Sequence, residues 1–252
     1  MKAPKIYRKK GGFTLIELIV VIAILGTLAA VGYGPIMDHL NDGDRQIASS
    51  NLSNISTALI DFNTEMTAYP SDQTAESMQE RMEEAGKDFG ALQGDTSNCY
   101  FRQLMVRDNS LAEKIFFAKV AGVIAEGDNK KANGKALQAG ENAFSYVMMQ
   151  STEGDGYRGV TGRGTCPIVM TPTAEPGKPV SGSDVKFDLT PFRGHVFVLF
   201  TDKSIKDLHG DKAIKENEDG DLGTLVTDIF PENVKTGESR AGRYSIFGPA
   251  LK

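Results

Sequence analysis

Residues 8–17 read Arg-Lys-Lys-Gly-Gly-Phe-Thr-Leu-Ile-Glu, a basic cluster and a Gly-Gly pair directly ahead of an apolar run whose one charge is Glu17. An ordinary secretory signal is cut beyond its apolar core, so that core is discarded. Here the candidate scissile bond, Gly12-Phe13, precedes it. Cutting there removes Met1 to Gly12 and leaves a chain of 240 residues that begins with the apolar helix. The segment is kept as working structure, and the rest of the fold is built outward from it.

From Leu18 to Met37 no residue is formally charged, and these twenty positions at about 1.5 Å each span roughly 30 Å, the thickness of a bilayer core. Lys2, Lys5, Arg8, Lys9 and Lys10 precede the run with no acid among them, while Asp38, Asp42 and Asp44 follow. The positive-inside rule then leaves the N-terminus cytoplasmic and exports the C-terminal part. Glu17 is the anomaly, because a carboxylate in an apolar span costs on the order of 2.5–3.5 kcal/mol at mid-bilayer and normally has a partner. Cleavage would supply one, the new α-ammonium at Phe13 of a neighbouring copy. Gly26 and Ala30 form a small-xxx-small pair that admits close helix approach. Pro35 removes a backbone donor and disfavours helix at Gly34, so the helix is expected to kink or loosen there.

The arrangement resembles the class III leader shared by type IV pilins and type II secretion pseudopilins: a short basic leader, Gly12, Phe13, and Glu17 at the fifth position after the cut. The resemblance implies that a prepilin peptidase cuts after Gly12 and methylates the N-terminus of Phe13. It also implies that Glu17 sets subunit register during filament assembly.

Ala48, Leu52, Ile55, Leu59, Phe62 and Met66 recur at alternating steps of four and three, the stripe of an amphipathic helix. The helix is expected to continue past the membrane, with a weak or bent joint at Asn41-Asp42-Gly43-Asp44, and to end before Tyr69-Pro70. Asp44-Arg45-Gln46 and Glu65 to Pro70 are similar to segments of the major pseudopilin of type II secretion, so the resemblance covers roughly residues 11–70.

Residues 71–126 read as mostly helical: Ser71 to Ala85 stopping at Gly86, then a capping box, Ser110-Leu-Ala-Glu113, ahead of a helix from Lys114 to Val120. Residues 127–140 read as loop, and 172–183, with three prolines, as a mobile loop. Ala143 to Met149, Pro167 to Thr171, His195 to Phe200, Ser204 to Leu208 and Arg243 to Phe247 are strand candidates, with Thr201-Asp202-Lys203 as a hairpin turn. Helices first and strands later point to an α+β fold, pilin-like in outline, with the long helix packed on an antiparallel sheet. The expected parts are a cleaved leader (1–12), a membrane and filament-core helix (13–37), its amphipathic continuation (38–68) and an exported globular domain (69–252).

Five of the 28 Lys and Arg lie in the leader, leaving 23 against 33 acids, a formal charge of −10 for the cleaved chain. Such an acidic domain is a poor generic nucleic-acid binder. Cys99 and Cys166 fall in the part expected to face an oxidising compartment, where a disulfide would close a loop of about 67 residues and add roughly 4 kcal/mol through loop-closure entropy. Two buried thiols are the alternative. Two cysteines without a Cys-x-x-C spacing, and only His39, His195 and His209, argue against zinc.

No cofactor is required, although Asp211, Glu216, Glu218, Asp219 and Asp221 suit calcium, which the resemblance also brings to a C-terminal loop. A solvated acidic loop is the alternative reading. Gly154-Asp-Gly156-Tyr-Arg-Gly159 spells a dinucleotide fingerprint but opens no helix, and reads as a turn. No catalytic constellation or P-loop can be assembled, so an enzyme is unsupported.

The expectation is a structural subunit of a type II secretion pseudopilus that drives protein export. Its partners would be prepilin peptidase, copies of itself, other pseudopilins or pilins, and an inner-membrane platform with a cytoplasmic ATPase. The alternatives are a type IV pilin for adhesion, motility or DNA uptake, which would be extracellular, and a membrane-anchored binding module. In the leading reading the chain sits in the inner membrane with its C-terminal domain in the periplasm.

Overall fold

The computed structural model describes residues 13–123, 126–151, 156–160, 165–174, 177–226, 228–231 and 241–251, with backbone alone over 31–41. The leader 1–12, including Gly12, and Gly154 lie outside the described residues. The chain divides into two compact units, Met1–Asp42 and Gly43–Lys252.

Helix α1, Leu15–Met66, runs unbroken through both Gly34-Pro35 and the Asn41 to Asp44 segment. Neither sequence signal breaks it, although the boundary between the two units falls at Asp42 and Gly43. Within the second unit the stripe packs as its spacing dictates. Ala48, Leu52, Ile55, Leu59 and Phe62 are all at most 1% exposed, each large member contributing roughly 1.5–3 kcal/mol by burial. The helix stops at Met66 ahead of Tyr69-Pro70, and the Tyr146 hydroxyl donates to the Pro70 carbonyl at 2.9 Å, joining the helix end to the sheet.

Helix α2, Asp72–Glu84, starts at the N-cap Ser71 and ends at Ala85, after which Gly86 takes φ +62°. Such a left-handed turn favours glycine. Helix α3, Ser97–Arg107, lies inside the stretch read as mostly helical, although its bounds were not marked there. A buried polar cluster locks it to α2: Gln103 donates to the carbonyls of Ser71 (2.9 Å) and Leu92 (2.7 Å) and accepts from the Thr74 hydroxyl at 2.6 Å. These bonds remove the penalty of burying the amide.

The helix expected from Lys114 to Val120 does not form. Only Glu113–Phe116 turns, as a 3-10 segment. The supposed capping residue is used elsewhere. Asp108 takes both the amide and the hydroxyl of Ser110, and the Glu113 carboxylate is fully buried, accepting from the Asn129 amide at 2.6 Å and the Leu137 amide at 2.9 Å. Residues 127–140 are thus a loop, as read, tied down by one carboxylate.

The strands are β1 Ser145–Gln150, β2 Tyr157–Gly159, β3 Pro167–Thr171, β4 Val180–Ser181, β5 Lys186–Asp188, β6 Val196–Phe200, β7 Ile205–Leu208, β8 Ile214–Glu216, β9 Leu222–Leu225 and β10 Tyr244–Phe247. One antiparallel sheet has the order β4-β10-β1-β3-β6-β7, with β2 also on β1, and a second has the order β5-β9-β8. The five strand candidates correspond to β1, β3, β6, β7 and β10. β4 lies inside the segment read as a mobile loop, paired with β10, and the glycine-rich run at 156–159 enters β2 rather than a helix.

Alternate residues separate two cores. Tyr146, Met148, Phe197, Leu199 and Phe247 pack with α1 to α3, whereas Val147, Val196, Val198, Phe200 and Ile246 pack with Phe187 and Ile214 of the smaller sheet. The fold is therefore α+β with three layers, and β6 is apolar throughout because both its faces are covered.

Candidate functional site

The first unit presents the start of α1. From Phe13 to Leu28, eleven large apolar side chains are exposed, Phe13 by 85% and Leu15 by 76%. Because Leu18 to Ile22 are consecutive at about 100° per residue, they face every side of the helix. Their burial would be worth on the order of 20 kcal/mol in total at 1.5–3 kcal/mol each, which drives this segment into an apolar surrounding. Among the described residues no helix is long and apolar enough to cross a membrane. The expected span from Leu18 to Met37 has its last seven residues among the backbone-only positions.

Glu17 has a partner in its own chain. Its Oε2 accepts from the Thr14 amide at 2.7 Å and the Thr14 hydroxyl at 2.8 Å, while Thr14 Oγ1 accepts from the Glu17 amide at 3.3 Å. This is a capping box, with Thr14 as N-cap and Glu17 three residues on. The Thr-x-x-Glu spacing was legible in the sequence, where Glu17 was read for its charge alone.

Asp44 and Arg45, two residues of the Asp-Arg-Gln match, both tie the middle of α1 to the rest of the second unit. Asp44 pairs with Lys119 at 2.9 Å, and Arg45 Nη1 donates to His195 Nε2 at 2.7 Å. His195 in turn meets Asp207, Nδ1 to Oδ1, at 2.8 Å, and its ring stacks on His209 at 4.5 Å between centroids. From the sequence, His39, His195 and His209 count only as too few for a zinc site. The signal that could have joined them is the hairpin turn: His195 and His209 lie seven residues either side of Asp202, so a symmetric hairpin sets them opposite one another.

The expected Cys99–Cys166 bridge is corrected: no disulfide joins them. Cys99 is on α3 in the helix-side core, beside Thr96 and Arg102. Cys166 is in the other core, its Sγ 3.6 Å from the Tyr244 hydroxyl. The two thiols thus belong to opposite faces of the large sheet.

The acidic run 211–221 contains β8 and the turn, residues 217–221, that leads into β9. Asn217 Oδ1 accepts the amides of Asp221 and Leu222 at 3.0 and 3.1 Å, and its Nδ2 donates to Asp221 at 2.6 Å. Among the described residues, the group of three side chains close enough to share one metal ion is His195, Asp207 and His209.

Comparison with known proteins bears on the N-terminal site. The family described as "Prokaryotic N-terminal methylation motif" matches residues 7–33. The chain carries a prepilin-type N-terminus. It is 38% identical over 66 residues to "Type II secretion system core protein G" of Pseudomonas aeruginosa, covering 26% of this chain and 46% of that one. It is 40% identical over 65 residues to the protein of the same name from Pectobacterium carotovorum, covering 26% and 41%. The chain thus spans less than half the length of these relatives. No solved structure matches it.

Proposed function

We propose that this chain is a pseudopilin, a structural subunit of a type II secretion filament, anchored in the inner membrane by residues 13–37 with its C-terminal domain in the periplasm. The observation that carries this reading is the methylation motif at 7–33 running straight into an all-round apolar helix, and the relatives named for type II secretion narrow it. Prepilin peptidase cuts between Gly12 and Phe13 and methylates Phe13. The apolar helices then pack in the filament core, where Glu17 keeps Oε2 on its own cap and offers Oε1 to the Phe13 α-ammonium of the next subunit. Other pseudopilins and an inner-membrane platform driven by a cytoplasmic ATPase complete the machine.

Mass spectrometry of membrane-extracted protein tests the first step. N-methyl-phenylalanine at Phe13 is expected, lost in Gly12→Val because a branched side chain then flanks the scissile bond. An intact Met1, or a cut beyond Ala30, overturns the reading. A surface pilus is the second reading, favoured because the match covers only 26% of this chain and leaves the large three-layered domain without a counterpart. Co-isolation with surface filaments rather than with the secretion envelope complex would select it.

A further inference from the structure

We propose that His195, Asp207 and His209 bind a divalent transition-metal ion of zinc type at the base of the β6–β7 hairpin, and that Arg45 of α1 competes with that ion for His195. The register assembles the ligands. Val196 pairs with Leu208 and Phe197 with Asp207, so continuing the ladder by one step sets His195 opposite His209. Side chains alternate along a strand, which puts Asp207, two residues before His209, on the same face. That face is the one that Phe197 and Leu199 present to α1.

The donor spacing fits a small ion. One ligand atom from each residue lies within 4.8 Å of the others, with His195 Nδ1 to Asp207 Oδ1 at 2.8 Å and His209 Nδ1 to the same oxygen at 3.9 Å. Ligand bonds of about 2.0–2.2 Å in a tetrahedron hold donors roughly 3.3 Å apart, between the two observed distances. Two imidazoles and one carboxylate select zinc, nickel or copper over calcium and magnesium, which take oxygen. With His209 61% exposed and Asp207 44%, an ion has a path from solvent and keeps an open position for water.

Arg45 sets the competition. Its guanidinium only donates, so the 2.7 Å contact requires His195 Nε2 to be unprotonated and places the proton on Nδ1, where it is given to Asp207. A metal bond at Nδ1 replaces that N–H bond. A neutral imidazole coordinated at Nδ1 carries its one hydrogen at Nε2. Two donors would face each other, and Arg45 has to turn away from the ring. Metal binding and the contact between α1 and His195 therefore exclude one another.

The test is calorimetric titration of Zn2+ into chelator-stripped full-length protein in detergent, with Ca2+ as control. One Zn2+ per chain is expected, with affinity falling about tenfold or more in His209→Ala. Arg45→Gln should bind Zn2+ several-fold more tightly than wild type. His209 is exposed, so its loss leaves the fold in place, which circular dichroism checks. Equal Zn2+ affinity in wild type and H209A, or Ca2+ binding that H209A abolishes, overturns the site. Equal affinity in wild type and R45Q overturns the competition.

Discussion

On the proposed reading Glu17 serves two purposes on one carboxylate, and they can be separated. Its bonds to Thr14 cap the helix, whereas the proposed pairing with a neighbour's α-ammonium needs only its charge. Thr14→Ala removes the cap hydroxyl and should cost about 0.5–2 kcal/mol of helix stability while leaving assembly in place. Glu17→Ala should abolish assembly and leave membrane insertion intact. In vivo crosslinking between subunits measures both, and normal filaments from Glu17→Ala would refute the pairing. Glu113 shows the limit of local reading. Its Ser-x-x-Glu spacing is the same signal as the Thr-x-x-Glu that does cap α1, yet the carboxylate serves amides sixteen and twenty-four residues away. Nothing short-range encodes such a contact. Glu113→Ala strands a buried and a half-buried N–H, and urea unfolding should register a loss of about 3 kcal/mol. A loss below 1 kcal/mol would mean that water reaches both amides.

At the scale of elements, long-period signals were legible and short ones were not. The stripe from Ala48 to Phe62 named the buried face of α1 residue by residue, and the apolar runs of β3 and β6 gave strands within one residue of their ends. β4, β5 and β8 are two or three residues long and carry no periodicity to read. The bounds of α3 escaped because both its faces are buried, so it lacks a polar side to set its period. The end of α1 is also held by charge. Glu65 bonds Arg81 of α2 at 2.7 Å and Arg107 of α3 at 2.9 Å, and the hydrogen bond from Arg81, above all, holds its carboxyl below the ordinary value of 4.5. A depressed folded-state value means that the stabilisation is complete at neutral pH and is lost as pH falls through that lowered value. Being 41% exposed, Glu65 is screened, and the pair contributes under about 1 kcal/mol. Glu65→Gln should therefore lower stability slightly at pH 7 and progressively less as pH falls through that lowered value, measured by urea midpoints across the acid range.

For the whole molecule, the order of helices then strands correctly implied α+β, but the second sheet went unread. One clue was available. Val196-Phe-Val-Leu-Phe200 is apolar at every position, which requires a cover on both faces of the sheet and not only on the helical one. The cover is β5-β9-β8, and it creates the second core in which Cys166 is buried. With Cys99 in the first, the two sulfurs serve different layers. The melting temperature should accordingly be the same with and without dithiothreitol, and a drop on adding it would restore the bridge. A protein whose sulfurs never need to meet can fold without thiol-oxidising enzymes in whatever compartment holds it. On the proposed reading, its supply to a growing filament is then set by membrane delivery and leader removal, and a cell short of oxidant would go on assembling it.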